Sequence, residues 1–464
     1  MSTTSIVRDP SSGTGLACVS RRGLLAGTAA LTLPVLLAQR TSPRSMIRTA
    51  AAAPTEFVAF PVGQAASDGD LVREKLDQAT RILDELDIDL WMPVARESDT
   101  LGDPSLPLIA GTSVTWESAF LISRTGHHRA VVGSGDVENL KQTGAWDDVV
   151  GYVEDFGSSL REAVASYDPQ SLALDFSIDN FMADGLTFGM YLRLEEILGG
   201  TPYWARVISG EPVAARVRSR KSAAEQRRLA AAVATTVEIW DELAVWLRPG
   251  QTEREIAAFM HGQLEERGIT SSWDWNYCPT VIAGPDSPGF HAGPGDFPTR
   301  QGELLAIDFG VKQELYCSDM QRTYYFLKPG ESEPPALIRE SFAVVDDVIQ
   351  SAAAALRPGV HGWEVDKVGR DIFAQAEFEE WPFALGHQLG RAEHDGGTLL
   401  APHWERYGVR PDGVVEADEV YALEIGSMVA GFGWASLEED LVVTAGGSRF
   451  FSEPQRELIA IGGA

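Results

Sequence analysis

The sequence predicts an α/β protein of two domains, the second of which is built from a duplicated unit. From about residue 56 the chain alternates strand-like and helix-like segments, which is typical of mixed α/β folds. Leu-Arg-Pro-Gly occurs at 247–250 and again at 356–359, each time after a helical pattern. Apolar, strand-like runs also end in acid-x-Gly twice, at Asp308 and at Glu424. Two motifs that each occur twice, in the same order, indicate an internal duplication.

Length and charge limit the classes of function. The chain has 464 residues, enough for two or three domains, and its 67 acidic residues outnumber 38 basic ones for a net charge of −29. An acidic surface repels phosphate backbones, so we exclude nucleic acid as a partner. Cys278 and Cys317 show no metal-binding or disulfide-rich spacing. They are predicted to be unpaired thiols, with one disulfide between them as the alternative.

Residues 1–53 have the order of an export signal. Arg21 and Arg22 resemble a twin-arginine motif, and an apolar run without charge follows at 23–38. That run of about 16 residues is shorter than the roughly 20 that span a bilayer. Small residues at 50–53 offer a cleavage site. We therefore expect a periplasmic or extracellular protein with no stable membrane span in the mature form, and an N-terminal membrane anchor is the alternative.

The first domain is predicted to cover 56–213. Apolar runs at 119–122 and 130–132 flank a Thr-Gly pair, which predicts a β-hairpin. His127 and His128 fall at this turn, so we expect both side chains to be solvated. Nothing else in the segment has the pattern of a catalytic motif, so we expect the chemistry to lie further along the chain.

The second domain is predicted to cover 216–460 and to begin with two helices. An apolar stripe at helical spacing begins near Ser222 and ends at 248–250, because Pro and Gly do not continue a helix. Thr252 and Glu255 then form a capping-box pattern that opens the next helix. The same pattern of helix, turn and helix recurs at the second Leu-Arg-Pro-Gly.

Four carboxylates lie in or beside the apolar strands of the repeat. Asp308 and Asp319 belong to one predicted hairpin, and Glu424 and Glu438 belong to the other. Each alone could be a surface acid at a strand end, but buried carboxylates without partners are costly and few basic residues lie nearby. His387, between the hairpins, adds an imidazole. Oxygen-rich ligands with one imidazole suit Mn²⁺, Co²⁺, Fe²⁺ or Zn²⁺, and bridging carboxylates hold two such ions about 3.5–4 Å apart.

These stretches resemble the pita-bread metallopeptidase superfamily, which includes aminopeptidase P, prolidase, methionine aminopeptidase and creatinase. The matching segments are 307–310, 316–323, 386–390 through His394-Asp395, 424–426, and Glu438 with 442–444. The resemblance covers most of the second domain. It implies a pita-bread catalytic domain, preceded by a creatinase-like N-terminal domain as in aminopeptidase P and prolidase.

The resemblance also implies a role for each ligand. Asp319 and Glu438 would bridge two divalent metal ions, Asp308 would complete one site, and His387 with Glu424 would complete the other. Attack by a metal-bridged hydroxide is expected, with Glu424 moving its proton. Manganese is the expected metal, and cobalt, zinc and iron are the alternatives.

Two further histidines match positions that the family keeps in its active site. His291 lies seventeen residues before Asp308, and His394 follows His387 by seven. The resemblance implies that both stabilise the tetrahedral intermediate or the leaving nitrogen during catalysis.

Three positions depart from the pattern of aminopeptidase P and prolidase. Ile425 replaces the usual proline, Ser436 replaces an arginine two residues before the last glutamate, and Phe383 replaces a histidine of aminopeptidase P. The metal ligands are retained, so metal binding is implied more strongly than a preference for proline. Glu438 rather than Glu439 is taken as the last ligand from its spacing to the following strand.

The sequence thus predicts an exported, dinuclear metal-dependent peptidase, an Xaa-Pro aminopeptidase or dipeptidase that acts on short peptides. One alternative is a metal-dependent hydrolase of another small amide or C–N substrate on the same fold. The other is a non-catalytic binding protein. A homodimer is compatible with the family, and the sequence leaves the length of the peptide substrate open.

Overall fold

A computed structural model describes residues 68–290 and 292–462. The predicted export signal at 1–53 and the predicted catalytic residue His291 lie outside these described residues. Within them, no helix is both long and apolar enough to cross a membrane.

The first region of the chain forms a mixed sheet with helices around it. Its helices are α1 (Asp68–Glu85), α2 (Ser98–Leu101), α3 (Leu106–Ile109), α4 (Val137–Thr143), α5 (Phe156–Tyr167), α6 (Phe188–Leu198) and α7 (Glu211–Ser219), with 3-10 turns at Phe181–Ala183 and Trp204–Arg206. Its strands are β1 (Leu90–Trp91), β2 (Val94–Ala95), β3 (Ser118–Ser123), β4 (His128–Gly133), β5 (Asp148–Tyr152), β6 (Leu172–Leu174) and β7 (Val207–Ser209). The strand order is β5-β4-β3-β1-β6-β7, and β2 pairs with β3.

The predicted hairpin of this region is confirmed, because β3 and β4 are antiparallel with Ala119 opposite Val131. The prediction that both histidines at its turn are solvated is wrong for one of them. His127 is exposed, whereas His128 is the first residue of β4 and is buried. Its Nε2 lies 3.3 Å from Thr80 Oγ1 on α1, which packs over this end of the strand.

A helix crosses the predicted boundary between the two domains. We predicted that the boundary lies between residues 213 and 216, and α7 runs through both positions. Arg216 and Arg220 pair with Glu416 of the second region, with N–O distances of 3.2 and 2.7 Å. A packed helix rather than an exposed linker therefore joins the two regions.

The second region contains the longer helices and strands. Its helices are α8 (Ala223–Trp246), α9 (Glu253–Arg267), α10 (Ala336–Ala355) and α11 (Gly362–Gln375), with 3-10 turns at Glu405–Tyr407 and Arg410–Asp412. Its strands are β8 (Thr270–Ser271), β9 (Thr280–Ala283), β10 (Leu304–Phe309), β11 (Val311–Gln313), β12 (Tyr316–Cys317), β13 (Met320–Phe326), β14 (Gly386–Gln388), β15 (Val420–Val429), β16 (Gly433–Thr444), β17 (Gly447–Phe450) and β18 (Ile459–Ile461).

The two halves of this region repeat one order of elements, as the duplicated motifs predict. Helices α8 and α9 precede β9, β10 and β13, while α10 and α11 precede β14, β15 and β16. Capping boxes open α8 at Ser222 and α9 at Thr252, because each side chain accepts a hydrogen bond from a backbone N–H of the first turn. The two Leu-Arg-Pro-Gly segments end α8 at Leu247 and α10 at Leu356.

One sheet runs through both halves in the order β14-β15-β16-β13-β10-β9, with β17 paired to β16 and β18 to β13. Leu305 and Ile307 of β10 pack in a core with α8 and α9, whereas Leu423 and Leu437 share a core with α10 and α11. Each such buried leucine stabilises the fold by about 1.5–3 kcal/mol. Because successive side chains alternate between the faces of a strand, the residues between them point to the opposite face.

The two cysteines of the second region are unpaired, as predicted. Cys278 and Cys317 are both buried thiols. Burial raises the pKa of Cys317 to about 12. The two cysteines therefore do not form the alternative disulfide with each other.

Candidate metal centre

Polar side chains form a row across the face of the large sheet that is turned away from the helices. Asp308 on β10 lies opposite Gln321 on β13, Gln321 lies opposite Glu438 on β16, and Glu438 lies opposite Glu424 on β15. Residues in register on neighbouring strands share a face. Asp319 comes immediately before β13. The sheet register therefore gathers four acids that the sequence separates into two hairpins.

The position of Glu438 differs from its sequence-based placement. We expected it to precede a strand, but it lies near the middle of β16, which already begins at Gly433. Its neighbour Glu439 points to the helix side, where Arg322 Nη1 lies 2.9 Å from its Oε1 and the Gln455 backbone N–H donates to it. Alternation along the strand therefore favours Glu438, and not Glu439, as a member of the acidic row.

His387 completes a compact group of possible ligand atoms. It lies on β14 opposite Ala422, so its position is set by the same sheet. Its Nε2 is 3.7 Å from Asp319 Oδ2 and 3.6 Å from Glu438 Oε1. One ligand atom from each of these three side chains lies within 4.8 Å of the other two. This spacing allows a single metal ion to contact all three.

The electrostatics of the row favour a bound cation. Burial raises the pKa of Asp308 to about 7, and burial together with the charge of Asp308 raises that of Glu424 to about 8. Burial and the neighbouring acids raise the pKa of Asp319 and Glu438 well above the ordinary range. Burial lowers the pKa of His387, which keeps its imidazole neutral and able to donate a lone pair.

The hydrogen bonding of the acids is also incomplete. Asp308 Oδ1 is buried and accepts no hydrogen bond from any described residue. A buried acceptor without a partner is costly unless an ion or water satisfies it. Carboxylates with one imidazole are the donor set that Mn²⁺, Co²⁺, Fe²⁺ and Zn²⁺ accept in proteins. The residues present thus fit divalent metal ions.

Gln321 is a member of the row for which we predicted no role. Its side chain is fully buried, and its Nε2 donates to Glu438 Oε2 at 2.9 Å and to Glu424 Oε2 at 3.3 Å. One amide nitrogen therefore bonds to both glutamates and holds their carboxylates close to each other. The two-residue period from Asp319 places it on the same face, and that signal would have identified it.

The row opens into a cavity of about 430 Å³. Its apolar lining comprises Phe181, Trp273, Tyr277, Phe290, Phe383, Ala384, Leu399 and Tyr407. Its polar lining, besides the acids and His387, comprises Thr280, Glu393, His394 and Arg410. Low polarity around a few convergent polar groups is typical of a small-molecule site.

The three departures from the family pattern have different places around this cavity. Phe383 lines it directly, so an aromatic wall stands where aminopeptidase P has a histidine. Ile425 instead packs in the core with α10 and α11. Ser436 is buried on β16 and does not line the cavity, and its backbone N–H and C=O both bond to Thr323 Oγ1, at 3.0 and 2.6 Å. Only the change at Phe383 therefore alters a surface that a ligand can touch.

His394, one of the two predicted catalytic histidines, lies next to the acids. Its ring centroid is 4.5 Å from that of His387, with the rings edge to face, and it lines the cavity. The next residue, Asp395, is buried and bonds to Arg218 Nη2 and to Lys221 Nζ, the latter at 2.7 Å. These ionic bonds fix the loop that carries His394. The placement of His291 stays a prediction, because it lies outside the described residues.

Arg410 lines the cavity and is a second residue of the site that we did not predict. Its guanidinium is largely buried, its Nε donates to Gly397 O at 3.2 Å, and burial lowers its pKa. Among the described residues it forms no ion pair with a carboxylate. A desolvated cation without a counter-charge is suited to bind an anionic group of a ligand. Its sequence context, a short 3-10 turn, carries no pattern that would have revealed this.

The assignment of Glu438 rather than Glu439 is testable with isosteric variants. Glu438→Gln is expected to lower the metal bound per chain, because one negatively charged oxygen is lost from the row. Glu439→Gln should keep the metal content but destabilise the fold by about 3–5 kcal/mol, the cost of breaking a buried ion pair. Metal analysis and urea unfolding of both variants separate the two effects. Equal loss of metal in both would contradict the assignment.

Comparisons with known proteins show what the chain is similar to. A sequence model of metallopeptidase family M24 matches residues 227–445. An uncharacterized peptidase of Staphylococcus saprophyticus is 30% identical over 204 residues, which cover 44% of this chain and 54% of that protein. The uncharacterized peptidase YqhT of Bacillus subtilis is 25% identical over 282 residues, covering 61% of this chain and 74% of that protein. The chain thus spans about half the length of the staphylococcal relative.

Solved structures share the fold of the chain. An Xaa-Pro dipeptidase from Bacillus anthracis superposes with a TM-score of 0.65 at 21% identity, covering 84% of this chain and 100% of that one. An X-Pro aminopeptidase from Thermotoga maritima superposes with a TM-score of 0.62 at 20% identity, covering 83% and 99%. The predicted α/β architecture, with a creatinase-like region before a pita-bread region, is confirmed by these likenesses.

Proposed function

Because residues 227–445 match the sequence model of metallopeptidase family M24, we propose that this chain is a metal-dependent peptidase of short peptides. Its leading substrates are Xaa-Pro dipeptides and other short peptides that begin with Xaa-Pro. The observation that carries this proposal is the row of four carboxylates with His387, at the wall of a cavity that is also lined by the cation of Arg410.

The proposed metal content is two divalent ions, with manganese first and cobalt, zinc and iron as alternatives. Asp308, Asp319, His387, Glu424 and Glu438 would hold them, with Asp319 and Glu438 shared between the two. Such ions supply Lewis acidity and lower the pKa of an attacking water. Support comes from the unsatisfied Asp308 Oδ1 and from the mutual repulsion of the acids.

The side chains of the site have separate tasks in peptide hydrolysis. Glu424 lines the cavity, where its carboxylate can accept a proton from the attacking water and return it to the leaving nitrogen. Gln321 keeps that carboxyl in place through its amide. His394, beside His387, can donate a hydrogen bond to the oxygen or nitrogen of the reacting amide. His291 is assigned the same kind of task by the family pattern alone.

The walls of the cavity support a proline-containing substrate. The ring of Phe290 lies 6.3 Å from that of Phe383 and 5.1 Å from that of Trp434, all edge to face. Phe290 and Phe383 line the cavity, so they offer an apolar surface on which a pyrrolidine ring can pack. The names of the solved relatives, an Xaa-Pro dipeptidase and an X-Pro aminopeptidase, agree with this choice.

One experiment tests the proposed function. The purified chain without its first 53 residues is reconstituted with Mn²⁺, Co²⁺ or Zn²⁺, its metal content is measured, and it is incubated with Gly-Pro, Gly-Pro-Gly, Gly-Leu and Leu-Gly-Gly. Metal binding with cleavage of the Xaa-Pro peptides is expected. Metal binding without cleavage of any peptide would favour a hydrolase of another small amide, for which Phe383 in place of a histidine is the supporting observation. Less than one metal per chain would contradict the two-metal site.

Arg410 is proposed to bind the terminal carboxylate of the peptide. Arg410→Met is expected to raise KM for Gly-Pro by about 10–100-fold, because a hydrogen bond to a charged group contributes about 1.5–3 kcal/mol. Gly-Pro amide should show little change. Arg406→Met is a matched control, since Arg406 does not line the cavity and its guanidinium stacks on Trp404. An equal rise in KM for Gly-Pro and for Gly-Pro amide would show that Arg410 does not bind the terminal carboxylate.

Export through the twin-arginine route is proposed from residues 1–53 alone. Replacing Arg21 and Arg22 with lysine should leave the protein in the cytoplasm, because the paired guanidinium groups are the feature of the motif that lysine lacks. Fractionation of cells that express the full chain measures this. Unchanged export of the variant would favour another route, and retention in the membrane fraction would favour the N-terminal anchor.

A further inference from the structure

The cavity receives one residue from the first region of the chain. Among the described residues that line it, Phe181 comes from the 3-10 turn after β6, while all the others lie between Trp273 and Glu438. Phe181 is 52% exposed, so packing in a hydrophobic core does not account for its placement. Its ring faces the space that a ligand would fill.

The turn that carries Phe181 is held by its own hydrogen bonds. Ser177 Oγ accepts from the backbone N–H groups of Asp179 and Asn180, and it donates to Glu211 Oε2. Asn180 Oδ1 accepts from the backbone N–H of Met182. A short segment with this many internal bonds presents its side chain from a defined backbone.

The same turn is docked closely on the second region. Gly396 and Gly408 both have positive φ angles, 82° and 56°. A Cβ added at Gly396 would meet Met182 Cβ at 2.8 Å, and one added at Gly408 would meet Asp179 Oδ1 at 2.9 Å. Only glycine combines these backbone angles with such a close approach. The first region therefore forms a fixed wall of the cavity next to the loop that contains His394.

The ring of Phe181 lies over the cation of the site. Arg410 Cζ is 5.7 Å from the ring centroid, a distance at which the ring face attracts a guanidinium. The ring therefore occupies space beside the group that is proposed to bind the terminal carboxylate. Each residue added to an extended peptide needs about 3.3–3.6 Å of further length. A residue added beyond the carboxylate position would have to take the space of this ring.

We propose that Phe181 sets the length of peptide that the site accepts, because its ring closes the cavity beside Arg410 and favours dipeptides over longer chains. This inference rests on the proposed peptidase function. It assigns to the first region a direct part in substrate selection, which nothing in the acidic row or in the motifs of the second region requires.

The test compares Phe181→Ala with Phe188→Ala. Phe188 is also an exposed phenylalanine of the first region, 74% exposed, and it stacks on Tyr191 without lining the cavity. The measured quantity is the ratio of kcat/KM for Gly-Pro-Gly to that for Gly-Pro, with the metal-loaded protein. Phe181→Ala is expected to raise this ratio by about tenfold, the lower end of the effect of one misfitting group in a pocket. Phe188→Ala should retain the wild-type ratio.

A binding measurement separates failure of this inference from failure of the proposed function. Calorimetric titration of the metal-free protein with the same two peptides requires no turnover. If the wild-type protein cleaves no peptide, the proposed function fails, and a preference for Gly-Pro in binding that weakens in Phe181→Ala still supports the length selection. If Phe181→Ala leaves the ratio of Gly-Pro-Gly to Gly-Pro unchanged, either in kcat/KM or in binding affinity, the proposed length selection is overturned. Absence of any binding by a wild-type protein that also cleaves nothing overturns both.

Discussion

Replacing Asp319 with alanine is expected to abolish peptide hydrolysis. Asp319 is buried, its Oδ2 lies 3.7 Å from His387 Nε2, and it belongs to the group of three side chains whose ligand atoms converge. It is also proposed to be shared by both metal ions, so its loss should impair both sites. We expect kcat/KM to fall by at least about 10³-fold, beyond the roughly 10–100-fold that loss of an outer-shell partner costs.

The stability of this variant distinguishes loss of metal from loss of folding. Without metal, Asp319→Ala should be at least as stable as the wild-type chain, because it removes one of several acids that raise each other's pKa. Metal analysis should show less than two ions per chain. Asp371→Ala removes an exposed acid of α11 and serves as the control for both readings. Full turnover by Asp319→Ala would mean that the reactive centre lies elsewhere.

The second expected result is that metal-free protein loses stability as the pH rises from about 4 to about 8, while metal-loaded protein does not. Burial raises the pKa of Asp308 to about 7 and that of Glu424 to about 8. In the unfolded chain these carboxyls titrate near 4. Between the two values the folded chain binds more protons than the unfolded chain, so stability falls with pH.

The size of this effect follows from the same shifts. A shift of about three pH units corresponds to about 4 kcal/mol for one carboxyl. Because the two acids lie in one row and repel each other, the total is less than the sum of two separate contributions. His387 acts in the opposite direction below about 6.5, since its pKa is lowered and its contribution to stability grows as the pH rises to that value. His387 therefore offsets part of the fall below about pH 6.5, and the two acids together still outweigh it.

Urea unfolding at several pH values, with EDTA or with Mn²⁺, measures the effect. Other buried acids such as Glu419, whose pKa is raised to about 7, contribute equally with and without metal, so the difference between the two series isolates the row. Asp308→Asn should flatten the metal-free series, because it removes one of the titrating groups. Parallel slopes with and without metal would contradict a metal site at these acids.

Much of the second region follows from local patterns. The apolar stripe that begins near Ser222, the capping pair at Thr252 and the two Leu-Arg-Pro-Gly turns predicted where its helices begin and end, and the structure confirms them. These signals are reliable because a cap or a proline acts within one turn of the backbone. Placing Glu438 before a strand was wrong, because a long strand has the same apolar alternation on both sides of a buried acid.

The sequence by itself predicted the members of the acidic group. Asp308 and Glu424 end similar apolar runs, and a buried carboxylate is costly unless a cation is bound next to it. The tertiary structure alone decided what surrounds them. Gln321 enters the row through strand register, and Arg410 and Phe181 reach the cavity from a short turn and from the other region of the chain. Local periodicity specifies which face of an element is buried. Which distant segment covers that face depends on packing between elements, and no local pattern carries that information.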